Sequence, residues 1–192
     1  CLGEKIITNC GASESLGRNP EYLRYSAAHS TIIVQNTNVS EIREGNHHLK
    51  YPQYVSFHKN ISNKNTFFEG SHNGYQKKFD KIIKRKIEIS DEKNKIIGKD
   101  TIISVRNTND RIIYHIRFHL APGMSYNFTN GMKNIILKTK LENIWLFKCD
   151  EEVVIEDSIL VDNNTTIPTK QIVMKGVINT NKLIKTWSLE KI

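Results

Sequence analysis

No apolar run in this sequence approaches the ~20 residues that a membrane-spanning helix needs, so a helical span is excluded. Cysteine is scarce: Cys1, Cys10 and Cys149 form an odd set without a C-x-x-C pair, which points to neither a disulfide framework nor a zinc ribbon. No G-x-S-x-G elbow, P-loop, dinucleotide fingerprint or H-E-x-x-H helix is present, and no repeat of fixed period appears. An amphipathic helix is equally hard to find. The exception is the short "NPEYLRYS", where Pro20 would occupy a first helical turn. The chain opens at "CLGEKIITN", without Met or the pattern of a leader peptide, and reads as a piece of something longer.

What is present is positive charge and strand periodicity. The 28 Lys and Arg against 20 Asp and Glu leave +8, which favours anionic partners such as acidic polysaccharide, nucleic acid or lipid headgroups. The lysines are scattered rather than massed, and no aromatic-plus-basic RNA-binding signature accompanies them, which argues against nucleic acid. At 192 residues without an internal boundary, the chain reads as a single domain over 1–192 with room for a real core.

The apolar pattern has a period of two. In "RIIYHIRFHL", Ile112, Tyr114, Ile116, Phe118 and Leu120 alternate with polar residues, as in a strand with one buried face. Comparable segments recur from "KIITN" and "STIIVQ" through "KIIKRKIEIS" and "NKIIGKDTIISV" to "KLIKTWSLEK", separated by turn signals such as "NTND", "APG" and "TNG". About ten closely spaced strands without intervening helices predict an all-β, antiparallel β-sandwich. Trp145 and Trp187 fall in strand patterns and suit a core or sheet-surface position.

Histidine, suited to proton transfer and metal ligation, marks the candidate sites. His115, Arg117 and His119 share the face opposite the apolar stripe, so this row is either a solvated face or a cradle for a carboxylate or sulfate. In "SHNGY", His72 and Tyr75 flank Asn73-Gly74, a turn dipeptide; they either project into a groove or belong to a hairpin whose Tyr packs on its strands. His47 and His48 form an adjacent pair in a polar loop, and His58 has no evident partner. His29, in "SAAHSTIIV", stands where a buried strand begins and suits either a ligand or a structural polar residue. Arg85 interrupts the apolar face of Ile83, Ile87 and Ile89 and is a candidate for a fixed polar contact.

Taken in order, "IITNCGA", "YSAAHSTIIV", "SHNGYQKKF", "KRKIEIS", "IIGKDTI", "YHIRFHLAPG" and "IWLFKCDEEVVIEDSI" resemble the C-terminal domain of heparinase II/III family proteins over nearly the whole chain. The resemblance implies a supersandwich-like β-sandwich that follows an N-terminal (α/α) toroid of helices, here outside the chain. It also implies a polysaccharide lyase that cuts acidic, uronate-containing glycans by β-elimination in the periplasm or cell envelope. The catalytic Tyr, Asn and His of such lyases would lie upstream of Cys1, so none is assigned here. The positions carried over for substrate are His72, Tyr75, Arg117 and His119. A structural zinc site in related lyases places a ligand Asp at the position of Asn9 and a ligand His at His29; with Asn for Asp and the third ligand missing, that set is incomplete. The alternative function is a non-catalytic sandwich that binds acidic glycan or serves envelope structure.

Overall fold

The computed structural model describes residues 3–12, 21–42, 49–62, 65–90, 94–106, 111–162 and 165–192. Two antiparallel sheets dominate. The smaller contains β1 (Ile7–Thr8), β2 (Ile32–Val34), β9 (Ile112–Leu120), β13 (Val153–Asp162) and β14 (Thr165–Ile178), with β1 and β2 sharing one edge of β9. The larger has eight strands: β5 (Val55–Ile61), β6 (Asn65–His72), β7 (Lys81–Ser90), β8 (Lys95–Ser104), β10 (Ser125–Thr129), β11 (Asn134–Lys138), β12 (Ile144–Cys149) and β15 (Lys182–Lys191). Its order is β10-β11-β12-β15-β8-β7-β6-β5. A two-stranded pair, β3 (Glu41–Ile42) with β4 (Leu49–Lys50), lies apart, and a single-turn helix, α1 (Gln76–Phe79), joins β6 to β7. The expected antiparallel sandwich is what forms.

The period-two pattern supplies the core. Tyr114, Ile116, Phe118 and Leu120 of β9 are each at most 1% exposed and face Leu137, Phe147 and Leu189 of the larger sheet. Burying each such side chain contributes roughly 1.5–3 kcal/mol. Aromatic geometry fixes the contact between the sheets: the Phe118 ring meets Trp187 edge-on at 4.8 Å and Phe147 at 5.1 Å, while Phe147 stacks on Trp187 at 6.4 Å. Trp145 and Trp187 both lie in the core.

Part of the smaller sheet's other face is buried too. Residues from Cys10, Leu23 and Ala28 cover Val161 and Ile159 there, which explains why "IIV" of β2 is apolar without alternation. Glu21–Arg24 and Ser26–Ala28 form two 3₁₀ turns in that cover, where the sequence suggested a short helix; Pro20 is outside the described residues. Gly11 makes the cover possible, because its φ of +82° and its bridge to Val161 leave a Cβ only 2.0 Å from the Val161 carbonyl oxygen.

Four strands were not evident from the sequence: β6, β10 and the two-residue strands β3 and β4. The Asn73-Gly74 dipeptide does not make a two-residue hairpin either: the chain leaves β6 at His72, turns, and runs through α1 into β7. The His47-His48 pair falls outside the described residues.

Gly98 faces the Trp187 indole across the β8–β15 pairing, and a Cβ there would sit 2.0 Å from Trp187 Cε2. Gly98→Ala therefore forces the indole out of its place between Phe118 and Asp100. The expected cost is about 1–3 kcal/mol, read as a lowered urea midpoint at unchanged m-value.

Candidate functional site

The sequence candidates converge on one segment, Ser26–Val39, which passes from the outer cover of the smaller sheet through β2 to the end of the sandwich. Its ends are drawn together by side chains. Asn38 Oδ1 accepts from the Ser26 amide at 2.8 Å, and Ser26 Oγ accepts from the Val39 amide at 2.9 Å. Small polar residues suit such strapping because they offer the backbone a local partner.

Three side chains hold this strap, two from strands and one from the turn that precedes α1. Tyr75, 1% exposed, donates to the Thr37 carbonyl at 3.1 Å and lies 3.4 Å from that of Ile32. Arg85 reaches from β7 to the Ser30 carbonyl at 2.6 Å. His119, from β9, bonds the Ala27 carbonyl through Nε2 at 3.0 Å, and its amide donates to Ser30 Oγ at 2.9 Å. Ser30 is the junction. Its Oγ donates to the Thr8 carbonyl at 2.5 Å and its amide donates to Asn9 Oδ1 at 2.9 Å.

Arg85 is itself anchored by Asp100, the residue opposite it on β8. The guanidinium forks onto both carboxylate oxygens at 2.5 and 2.8 Å, Trp187 Nε1 donates to Oδ2 at 3.1 Å, and the Asp100 side chain is wholly buried. The Arg85 guanidinium carbon also lies 5.7 Å from the Phe118 ring centre and 5.8 Å from that of Trp187, within cation–π range. Asp100 was missed at the sequence level, although one signal existed: it alternates with Gly98 and Ile102 on the core-facing side, where a charge requires a partner.

Of the His115, Arg117, His119 row, His119 lies beneath the cover and the other two are partly buried. His119 is 1% exposed. The carbonyl at Nε2 identifies the N–H there, so Nδ1 accepts from Ser158 Oγ at 2.6 Å, with Cys10 Sγ 3.6 Å away. Burial holds the imidazole neutral, with its pKa lowered to about 4. Arg117 pairs with Glu156 at 2.8 Å, and its Nε is buried without a hydrogen-bond partner, as is His115 Nδ1. Burial, then the Arg117 charge, lowers the His115 pKa.

His72 and Tyr75 meet ring to ring at 5.8 Å, and His72 Nδ1 accepts from the Gly74 amide at 3.3 Å. Burial lowers the His72 pKa and pushes that of Tyr75 up to about 12. The ring of Tyr75 packs inside, and its hydroxyl braces the strap. His29 is half-buried; burial lowers its pKa while a hydrogen bond to the Leu23 backbone opposes that shift. Asn9 Oδ1 accepts from the Ser30 amide and His29 bonds the Leu23 backbone, and the pair supplies at most two of the four donors a zinc site takes. Among the described residues no group of three or more His, Cys, Asp or Glu side chains is placed to hold a metal ion.

The two-sheet sandwich is a fold shared with known proteins. The solved heparan sulfate lyase HepC from Pedobacter heparinus superposes with a TM-score of 0.73 at 11% identity, over 98% of this chain and 29% of that one. A solved heparinase III superposes with a TM-score of 0.72 at 8% identity, over 99% of this chain and 28% of that one. A comparison with curated proteins found no match. At these identities the superpositions define the class of fold. The family follows from the sequence: the heparinase II/III-like, C-terminal family matches residues 1–187, and the chain belongs to it. It spans less than a third of the length of the solved chains it resembles.

Removing Arg85 leaves a buried carboxylate without its cation. Arg85→Met and Asp100→Leu should each destabilise by about 3–5 kcal/mol, whereas the double variant should recover much of that loss; a double-mutant cycle of urea titrations measures the coupling.

The pKa of His119 makes a second expectation. Folding lowers it to about 4 from the ordinary value of 6.5, so protons bind the unfolded chain more readily. Its contribution is intact above pH 6.5 and is lost as pH falls toward 4, reaching about 3 kcal/mol. His29, His72 and His115 shift in the same direction, so His119→Gln, compared with the parent by urea titration from neutral to acidic pH, isolates the His119 share as a shallower slope.

Proposed function

We propose that this chain is the β-sandwich portion of a heparinase II/III-like polysaccharide lyase that acts on acidic, uronate-containing glycans by β-elimination. The observation that carries this reading is the family match over residues 1–187. The +8 balance supports it, because a basic surface concentrates a polyanionic glycan near the protein. The solved relatives are more than three times as long as this chain, and the reading has the sandwich work beside a helical domain of a longer protein in the periplasm or cell envelope.

β-Elimination removes the C5 proton of a uronate, breaks the C4–O bond and leaves a C4=C5 double bond. It needs the carboxylate neutralised, a base for the proton and an acid for the departing oxygen. In this reading those groups come from the rest of the longer protein. His119 is neutral with both ring nitrogens committed, and Tyr75 holds its proton to about 12, so neither is free to move a proton at neutral pH. We assign His72, Tyr75, Arg117 and His119 to the glycan site as positioning residues: Tyr75 and His119 hold the strap, His72 packs on Tyr75, and Arg117 is fixed by Glu156.

The same internal commitment of side chains favours a second reading, a non-catalytic sandwich that binds acidic glycan or supports envelope structure. Incubation with heparan sulfate, alginate and other uronate polymers separates the two. The expected outcome is no unsaturated product from the 192-residue chain alone and an ultraviolet-absorbing unsaturated uronate from the longer protein containing it. Salt-sensitive binding without product from that longer protein would replace the first reading by the second.

A further inference from the structure

The larger sheet ends in a strand that carries unusual apolar exposure. Val55, Phe57 and Ile61 of β5 are 65%, 68% and 61% exposed, on the same face as the partly buried Phe68 of β6. An open edge of this kind is a template for pairing with another chain.

The backbone shows which groups are open. The Asn73 amide donates to the Tyr54 carbonyl at 3.2 Å, and the Ser62 amide to the Asn65 carbonyl at 2.9 Å. These bonds flank the β5–β6 register at its two ends, so Ser56, His58 and Asn60 bond toward β6 in the antiparallel alternation. Val55, Phe57, Lys59 and Ile61 therefore direct their N–H and C=O groups to the open edge.

We propose that this edge pairs antiparallel with β5 of a second copy, centred on His58. That register is self-complementary, as a two-fold interface requires. It places Val55 opposite the partner's Ile61 and Phe57 opposite the partner's Lys59, and each of these facing pairs exchanges two backbone hydrogen bonds. The apolar pair suits cross-strand packing. The Lys–Phe pair extends a contact present within one chain, where Lys59 Nζ lies 5.7 Å from the Phe68 ring centre. Lys59 also selects the register. Centring the strands on Lys59 sets two ammonium groups face to face, and centring on Phe57 carries Ile61 past the partner strand.

The pairing joins two eight-stranded sheets into one and merges the two exposed apolar patches across the seam. It draws on the exposure and register of β5 and on nothing in the lyase reading.

Sedimentation velocity of the 192-residue chain over a wide dilution series tests it directly. A dimer that dissociates on dilution is expected. Phe57→Pro removes an outward N–H without touching the β5–β6 bonds and should abolish the dimer, with the circular dichroism of the sheet retained. His58→Cys should cross-link to its own copy under mild oxidation, because facing residues at the centre have Cα atoms about 4.5 Å apart. Asn60→Cys should not, since its own copy lies roughly 13 Å along the seam. A monomer at every concentration overturns the proposal. So does a dimer that survives Phe57→Pro in a folded protein, or cross-linking that is equal at positions 58 and 60.

Discussion

The structure depends on a buried ion pair between neighbouring strands of the larger sheet, β7 and β8, from which one remaining donor reaches the strap. Asp100 is sealed in the core, where a carboxylate without a cation costs several kcal/mol, so the larger sheet must present Arg85 directly opposite it. The fork satisfies both carboxylate oxygens and leaves one guanidinium nitrogen for the Ser30 carbonyl, on the strap that leads into the smaller sheet. Apolar packing alone would tolerate a small slide of one sheet over the other. A bidentate pair whose remaining donor must reach a single carbonyl does not, and this is how a costly charge specifies one arrangement. The dependence runs further down the chain of contacts: Gly98 admits the Trp187 indole, the indole closes Asp100, Asp100 orients Arg85, and Arg85 fixes Ser30 between Thr8, Asn9 and His119.

That sequence of contacts also explains why the residues with the most chemical promise serve position. His119, Tyr75 and Arg85 each spend a donor on a backbone carbonyl of one strap, and the Thr37, Ser30 and Ala27 carbonyls they meet lie outside the strand ladders. A backbone that crosses a sandwich flank without regular structure needs such donors, and a neutral imidazole or a phenol supplies them at lower desolvation cost than a charge. Burial lowers the pKa values of His72 and His119, and neither ring has a carboxylate partner to oppose that shift.

Much of this was legible in the sequence where alternation is strict. "RIIYHIRFHL" and "KIIKRKIEIS" mark β9 and β7, and the isolated Arg85 on an apolar face marks a fixed polar contact. The strand β6 escaped because "NTFFEGSH" places two phenylalanines side by side, one on each face of the sheet, which erases the alternation. The polar row of β9 looked like a surface for a different reason. What covers it is a pair of 3₁₀ turns and a glycine-dependent bridge around Cys10, elements too short to carry a period of their own. Sequence periodicity reports that a strand has two kinds of face. It does not report that an irregular segment distant in the chain will close over the polar one.

The two sheets consequently divide the labour. The smaller has one face in the core and part of the other under the strap, so His119 is internal and a change in it acts first through geometry, while Asp157 and Lys170 stay at the surface. The larger keeps an outer face of exposed ion pairs, Lys84 with Glu69 and Lys86 with Glu88, each contributing little to stability at the surface. With strands beyond the reach of the smaller sheet, it also keeps an apolar flank at β5. A sandwich whose layers differ in width cannot bury both layers completely, and the uncovered strip falls at the edge of the wider one. Here that strip ends in open backbone groups on the same residues that carry the exposed side chains, Val55, Phe57 and Ile61, so burial and hydrogen bonding call for the same kind of partner, another strand.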